Sequence, residues 1–322
     1  MPRRTRSNRV EADRPDDRLR RKGSRGRSSR RRCDSGQDVP DGCCSARGEQ
    51  SPLSPAADVF KLATIRDDVF LSDGLLGLRG VNECRRRHLD WEGCFNVRDV
   101  GGLPTADGRE TRFGRVVRAD ALDGLTAAGW VALSAHGVRT VIDLRNDDEL
   151  GADAGPRPAS VRTVPLPLDG CEDREFWSIW ESGLQFGTPL YYRPHLERLP
   201  ERSAAVLSAI ARAEPGGVVF HCSGGRDRAG QVTMLLLALI GVAPEDIAAD
   251  YALSAERLPA RYAARGEPDQ QPLIEAFLAA RGTTAPELIM TTLHELDVEA
   301  LLLDAGLTSE DVSALRCRIL DP

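Results

Sequence analysis

The stretch that most limits how this chain can fold runs from Val218 to Val232, VVFHCSGGRDRAGQV. A β-branched run ends at Phe220, two glycines follow, and an apolar helical pattern, AGQVTMLLLALIG, takes over near Arg228. A strand that passes through a glycine turn into a long apolar helix is one half of a parallel crossover, and crossovers commit a chain to a layered α/β architecture. The neighbouring segments agree. GRVVRADAL reads as a strand entering a turn, LTAAGWVALSAHG as a helix halted at Gly137, and VRTVIDLR as a buried strand. VRTVPLPL reads as a further strand whose prolines place it near an edge. ERSAAVLSAIARA is a helix closed by the EPGG turn, and from PEDIAADYALSAERL to LTSEDVSALRCRIL the pattern is almost entirely helical. The predicted fold is therefore α/β, with a central, mostly parallel sheet flanked by helices.

The net charge of -6 conceals two kinds of material. The first fifty residues hold 15 Lys and Arg against 8 Asp and Glu; the remainder holds 28 against 41. The basic part, centred on RLRRKGSRGRSSRRR, has no apolar periodicity and no interleaved aromatics. It predicts a solvated, disordered extension over residues 1–80, followed by a folded domain over 81–322. A tether for nucleic acid or another acidic surface is the alternative, and it rests on this tail alone. No apolar stretch reaches the roughly 18 residues of a membrane span. No apolar segment or small-residue cleavage site follows the basic start, so a cytoplasmic protein is expected. The eight cysteines show no CxxC and no paired histidine spacing, which argues against a structural zinc or a disulfide framework.

Cys222 alone has chemically loaded surroundings. In open α/β sheets, ligands bind beyond the carboxyl ends of strands, where a helix N-terminus offers unpaired N–H groups. Residues Cys222 to Asp227 wrap around such a point. Gly224 and Gly225 lift the Cβ constraint, so successive N–H groups can converge on a tetrahedral oxyanion, most naturally phosphate. Amide dipoles and a helix N-terminus favour the thiolate form of a cysteine. Arg228, returning over the loop, offers a planar fork for two equatorial oxygens. Together they suit nucleophilic attack on phosphorus through a phosphocysteine. The plain alternative is a buried structural cysteine in a βα turn.

HCSGGRDRAG resembles the HCxxGKDRTG signature of the atypical bacterial tyrosine phosphatases, a branch of the cysteine-dependent phosphatase superfamily. NVRDVGGLPTADGRETRFGRVVRADAL is similar to that family's NFRDLGG-type segment and the arginine-bearing strand after it. VIDLR is similar to its DLR element, and LLALIGVAPEDIAADYALS to the segment after its phosphate loop. The resemblance runs from about Trp91 to the C-terminus. It implies a cysteine-phosphatase-like fold with a helical C-terminal lid over Ala252 to Leu296, broken at RGEPDQQP.

Carried over position by position, the resemblance implies Cys222 as nucleophile, Arg228 as phosphate clamp and His221 as a loop-orienting histidine. Ser223, Gly224, Gly225 and Arg226 become phosphate-binding positions. The general acid it implies lies inside the loop, at Asp227, since no tryptophan here is followed by Pro-Asp. A helix N-terminal carboxylate is the other reading of Asp227, and Asp143 is the competing acid or a supporting partner. Arg98 and Asp99 belong to a turn that either buttresses the site or is purely structural, and Arg145 either joins an ion-pair network or meets substrate. Trp177, Trp180, Tyr191 and Tyr192 either wall a deep pocket or form a satellite cluster. Two positions depart from the pattern. Arg226 replaces a lysine, and Ala229 replaces the hydroxyl residue that donates to the departing thiolate, so hydrolysis of phosphocysteine is expected to slow.

No cofactor and no metal are implied. The expected activity is phosphomonoester hydrolysis, on a phosphotyrosine-bearing protein or a small aryl phosphate. A phosphoinositide or other lipid phosphate is the alternative substrate. A catalytically weak phosphoryl-binding module and a rhodanese-like sulfurtransferase are the readings from other classes.

Overall fold

Alternation along three short strands divides the interior in two. In the computed structural model, which describes residues 87–320, β1 (Arg98–Asp99), β2 (Val116–Ala119), β3 (Val138–Asp143), β4 (Arg162–Pro165) and β5 (Gly217–His221) form one sheet in the order β1-β2-β5-β3-β4. The pairings β2–β5, β5–β3 and β3–β4 are parallel, and β1 runs antiparallel to β2. Val116, Ile142, Val218 and Phe220 pack into the larger cluster on one face; Val117, Val141 and Val219 pack into the smaller cluster on the other. Side chains that point to opposite faces at successive positions, all apolar, are what a doubly covered parallel sheet requires. β4 is an edge strand with exposed side chains and closes on Pro165, as its prolines suggest.

The smaller cluster is closed by α1 (Ala127–Ala135), which starts where the Thr126 side chain accepts from the Gly129 N–H. The larger face carries α4 (Pro200–Ala211) and α5 (Asp227–Leu239), reached through α2 (Arg174–Trp180) and α3 (Tyr192–Arg198). Eleven of the thirteen α5 residues are buried, so this helix is an interior strut rather than an amphipathic cover. Its N-terminus therefore has a fixed place directly above the end of β5.

The C-terminal region is helical as expected: α6 (Pro244–Arg265), α7 (Gln271–Ala279), α8 (Ala285–Glu295), α9 (Val298–Asp304) and α10 (Ser309–Ile319). α6 begins with proline at its first position and ends on Gly266 at φ +65, the left-handed cap that glycine alone adopts without strain. The break between α6 and α7 falls in the RGEPDQQP stretch. The basic extension expected over residues 1–80 lies outside the described residues. Among the described residues, no helix is long and apolar enough to cross a membrane.

Leu236, with no exposed surface in the middle of α5, gives the first prediction. Leu236→Ala is expected to cost about 2–5 kcal/mol of folding stability, because a cavity beneath the sheet replaces packed methyl groups. Urea unfolding of both chains measures it.

Candidate active site

The loop after β5 is held from behind. Ser223 O accepts from the Ala121 N–H (3.2 Å), Gly224 O from Asn96 Nδ2 (2.9 Å), and Gly225 O and Arg226 O from Arg118 Nη2 (2.8 and 3.2 Å). A trans peptide points its C=O and N–H in opposite directions. Four successive carbonyls turned toward β1 and β2 therefore turn the N–H groups of Gly224, Gly225, Arg226 and Asp227 the other way. Gly225 has φ +67, and a Cβ there would come within 2.6 Å of the Asp120 nitrogen, so the loop lies flat against the end of β2.

On the N–H side is a cavity of about 530 Å³. Cys222, Ser223, Gly224, Arg226, Asp227 and Arg228 line its floor. Cys222, only 2% exposed, lies where the strand ends and the ring of N–H groups begins. Such a cradle can take an oxyanion, with a thiol beneath it.

Arg228 does not stand alone. Its Nη2 donates to Glu149 Oε1 (2.6 Å), its Nη1 to Glu149 Oε2, and its Nη1 lies 3.3 Å from Asp169 Oδ2. The Ser223 hydroxyl also donates to Glu149 Oε1, at 2.6 Å. Burial works against ionising Glu149, but the Arg228 guanidinium outweighs it and brings the carboxyl down to about 2. Glu149 closes a single 3₁₀ turn after β3 and, like Arg118 and Asp169, is a site residue that sequence reasoning did not single out. The only trace of it is an acidic run, NDDE, at the carboxyl end of the strand beside β5.

Arg226 turns onto Asp227: Nε meets Oδ1 at 3.0 Å and Nη2 meets Oδ2 at 3.3 Å. The Tyr251 hydroxyl approaches Asp227 Oδ1 at 3.4 Å, and the Tyr192 hydroxyl donates to Asp227 O at 2.5 Å. Asp227 thus has a partly exposed carboxylate at the cavity rim and a backbone fixed at the start of α5. Its position serves a rim acid and a helix N-terminus equally.

His221 is fully buried, with Nε2 3.5 Å from Asp143 Oδ2. Burial, partly opposed by Asp143, lowers the imidazole to about 4, so the ring is neutral at physiological pH. Its Nδ1 lies 3.4 Å from the Cys222 carbonyl oxygen, its hydrogen-bond contact with the loop. Asp143 accepts from Arg145 through Nε (3.0 Å) and Nη2 (2.9 Å), and Arg145 reaches Asp123 at 2.7 Å; this is the ion-pair network, turned away from the cavity lining. Arg98 supports the loop indirectly, donating to Asn96 Oδ1 (2.7 Å) while Asn96 holds Gly224 O. Asp99 instead ties down the turn after β1, accepting from the Gly101 and Gly114 N–H groups at 2.7 Å each and pairing with His136.

The aromatic insert divides its labour. Phe176, Trp177 and His195 pack in a cluster with ring centroids 5.0 to 6.1 Å apart, while Phe186 and Tyr191 belong to that cluster and also face the cavity. Leu258, Arg261 and Tyr262 of α6, with Glu267, Leu273 and Ile274, form the opposite wall. This is the place expected for a lid. Ala229 is completely buried and offers no hydroxyl.

Known proteins carry the same arrangement of sequence. A family model described as the tyrosine phosphatase family matches residues 89–321. A Cupriavidus necator protein assigned as a tyrosine-protein phosphatase is 31% identical over 232 residues, covering 70% of this chain and 80% of its own. The triple specificity protein phosphatase PtpB of Mycobacterium tuberculosis is 28% identical, over 70% of this chain and 96% of its own. A tyrosine-protein phosphatase of Nostoc commune is 35% identical over 146 residues, 44% of this chain and 49% of its own.

The buried rings set an acid limit. His221 and His195 are each lowered by burial from 6.5 to about 4, so the unfolded chain binds more protons than the folded one between those values. Stability is complete above about pH 6.5 and is lost as the pH falls toward 4. The Arg228–Glu149 pair adds a second loss, from about pH 4.3 toward 2. Thermal unfolding across pH 7 to 4 is expected to show a falling midpoint, with a shallower slope in His221→Asn.

Proposed function

From a chain that belongs to the tyrosine phosphatase family, we infer a protein-tyrosine or dual-specificity phosphatase that works through a phosphocysteine on Cys222. The observation that carries this reading is the cradle. Four loop carbonyls are consumed on the protein side, so four N–H groups surround the space above a buried thiol, with the Arg228 fork at its edge.

The Cys222 thiolate attacks phosphorus in line with the ester oxygen. The S–P bond forms as the P–O bond breaks, and the equatorial oxygens gain from the loop amides and Arg228 as charge shifts onto them. Asp227 gives its proton to the departing ester oxygen, then takes one from the water that attacks the phosphocysteine. Glu149 takes one hydrogen from each of Nη1 and Nη2 of Arg228, so the guanidinium is oriented before substrate arrives. Phe186, Tyr191, Leu258 and Tyr262 give the cavity apolar walls that suit an aryl phosphate. A phosphoinositide is the second reading. Arg226 and Arg261 line the cavity and, although paired with Asp227 and with Glu267, each keeps one buried nitrogen (Arg226 Nη1, Arg261 Nε) without a hydrogen-bond partner, which favours a substrate with more than one anionic group. A cytoplasmic location suits the free thiols Cys94, Cys171, Cys222 and Cys317 and a reaction that depends on one of them.

Two measurements test the mechanism. Cys222→Ser is expected to lower kcat on p-nitrophenyl phosphate by about a thousandfold or more, as loss of a nucleophile does; unchanged turnover excludes the thiol. The panel extends to phosphotyrosine, phosphoserine and phosphoinositide substrates, whose relative kcat/KM ranks the readings. The second concerns Ala229. The departing thiolate has no hydroxyl donor at that position, and Ser223 spends its own on Glu149. Rapid-quench mixing should show a burst of p-nitrophenol followed by a slower steady rate, whereas a linear trace from the first turnover places the slow step earlier.

A further inference from the structure

The donors beneath the loop converge on one carboxylate. Asp250, on α6, has no exposed side-chain surface and accepts from three arginines: Arg87, Arg98 (3.1 and 3.2 Å) and Arg118 (2.6 Å). Arg98 also caps the Asp250 carbonyl at 2.7 Å and reaches Ser254 Oγ at 3.2 Å. Two of these arginines lead to the phosphate loop. Arg118 uses Nη1 on Asp250 and Nη2 on Gly225 O and Arg226 O; Arg98 uses Nη1 on Asn96, whose amide holds Gly224 O.

An arginine side chain is long and flexible, and fixing it costs entropy that a backbone carbonyl alone repays poorly. Asp250 supplies that fixation. Its bonds to Arg118 and Arg98 use one side of each planar guanidinium and leave the other aimed at the loop. We propose that Asp250 is a positioning residue for phosphoryl transfer: through Arg118 and through Arg98–Asn96 it orients three consecutive loop peptides and thereby sets the oxyanion affinity of the cradle. It never touches substrate. It rests on the reading of this cradle as the site of phosphate transfer.

α6 also supplies Leu258, Arg261 and Tyr262 to the cavity wall. The same helix therefore anchors the floor at Asp250 and forms a wall of the cavity at its far end. Floor and wall share one helix, with Pro259 inside it between Leu258 and Arg261.

The full chain and the variants Asn96→Ala, Arg118→Lys and Asp250→Asn are compared by kcat and KM on p-nitrophenyl phosphate, the inhibition constant of orthovanadate, and the thermal midpoint. Arg118→Lys keeps a charge for Asp250 but has one nitrogen, and so cannot reach Asp250 and the loop carbonyls from two separate positions as Nη1 and Nη2 do. Asn96→Ala removes the donor to Gly224 O and leaves the Asp250–arginine pairs in place. Each is expected to raise the vanadate constant about tenfold, the effect of one hydrogen bond near the upper end of the usual range, with kcat/KM falling alongside. A merely structural role lowers the thermal midpoint and leaves the vanadate constant of the folded protein unmoved; that result in both variants overturns the proposal. Asp250→Asn, if it folds, should show the largest rise, and an unchanged vanadate constant there overturns it as well. If it does not fold, the other two variants decide. A wild-type chain that neither hydrolyses p-nitrophenyl phosphate nor binds vanadate removes the phosphatase reading itself, whereas an active wild type with unchanged variants removes only the role of Asp250.

Discussion

Hydrogen bonds on the carbonyl side of a six-residue turn determine what its N–H side can do. Ala121, Asn96 and Arg118 draw the carbonyls of Ser223 to Arg226 toward the sheet, and the cradle is the other face of those peptides. A single hydrogen bond of this kind contributes about 1 kcal/mol net, yet a buried donor left without its acceptor costs more. The network is therefore stable mainly because breaking any one link strands another polar group away from water. The same logic governs Asp250, whose charge is tolerated in the interior because guanidiniums surround it.

The sheet makes this arrangement repeatable. β5 hands the loop over at a fixed height, α5 receives it with a helix that has nowhere to move, and β2 alongside supplies Arg118 and the surface on which Gly225 lies. Glu149 arrives from beyond the end of β3, on the other side of β5, and pairs with Arg228. Three adjacent parallel strands thus contribute one element each to a single point, in keeping with the position of ligand sites in open α/β sheets.

The strand–loop–helix unit that brings Cys222 and Arg228 to one cavity could be read directly, because glycines and β-branched runs have local meaning. β1 could not: two residues carry no periodicity, and Arg98–Asp99 becomes a strand only by pairing with β2. Two arginines were ambiguous for a related reason. Arg98 and Arg145 lie near strand ends, and only their placement shows that Arg98 reaches the loop through Asn96 and Arg145 serves Asp143 and Asp123, while Arg118, which holds the loop directly, carried no local signal. Arg226, expected among the phosphate donors, spends its side chain on Asp227. Glu149 was hidden among equivalent acids, since nothing in NDDE distinguishes the residue whose carboxylate faces inward.

The clamp beneath the loop joins parts of the chain that are made at different times. Asn96 and Arg118 leave the ribosome first, the loop from Cys222 to Arg228 follows more than a hundred residues later, and Asp250 comes last. A nascent chain that stops before α6 carries the whole signature segment but lacks the anion that steadies its arginines. With Asp250 in the role proposed above, the full oxyanion affinity of the cradle is a property of the finished tertiary structure, reached once the sixth helix has docked against the strands.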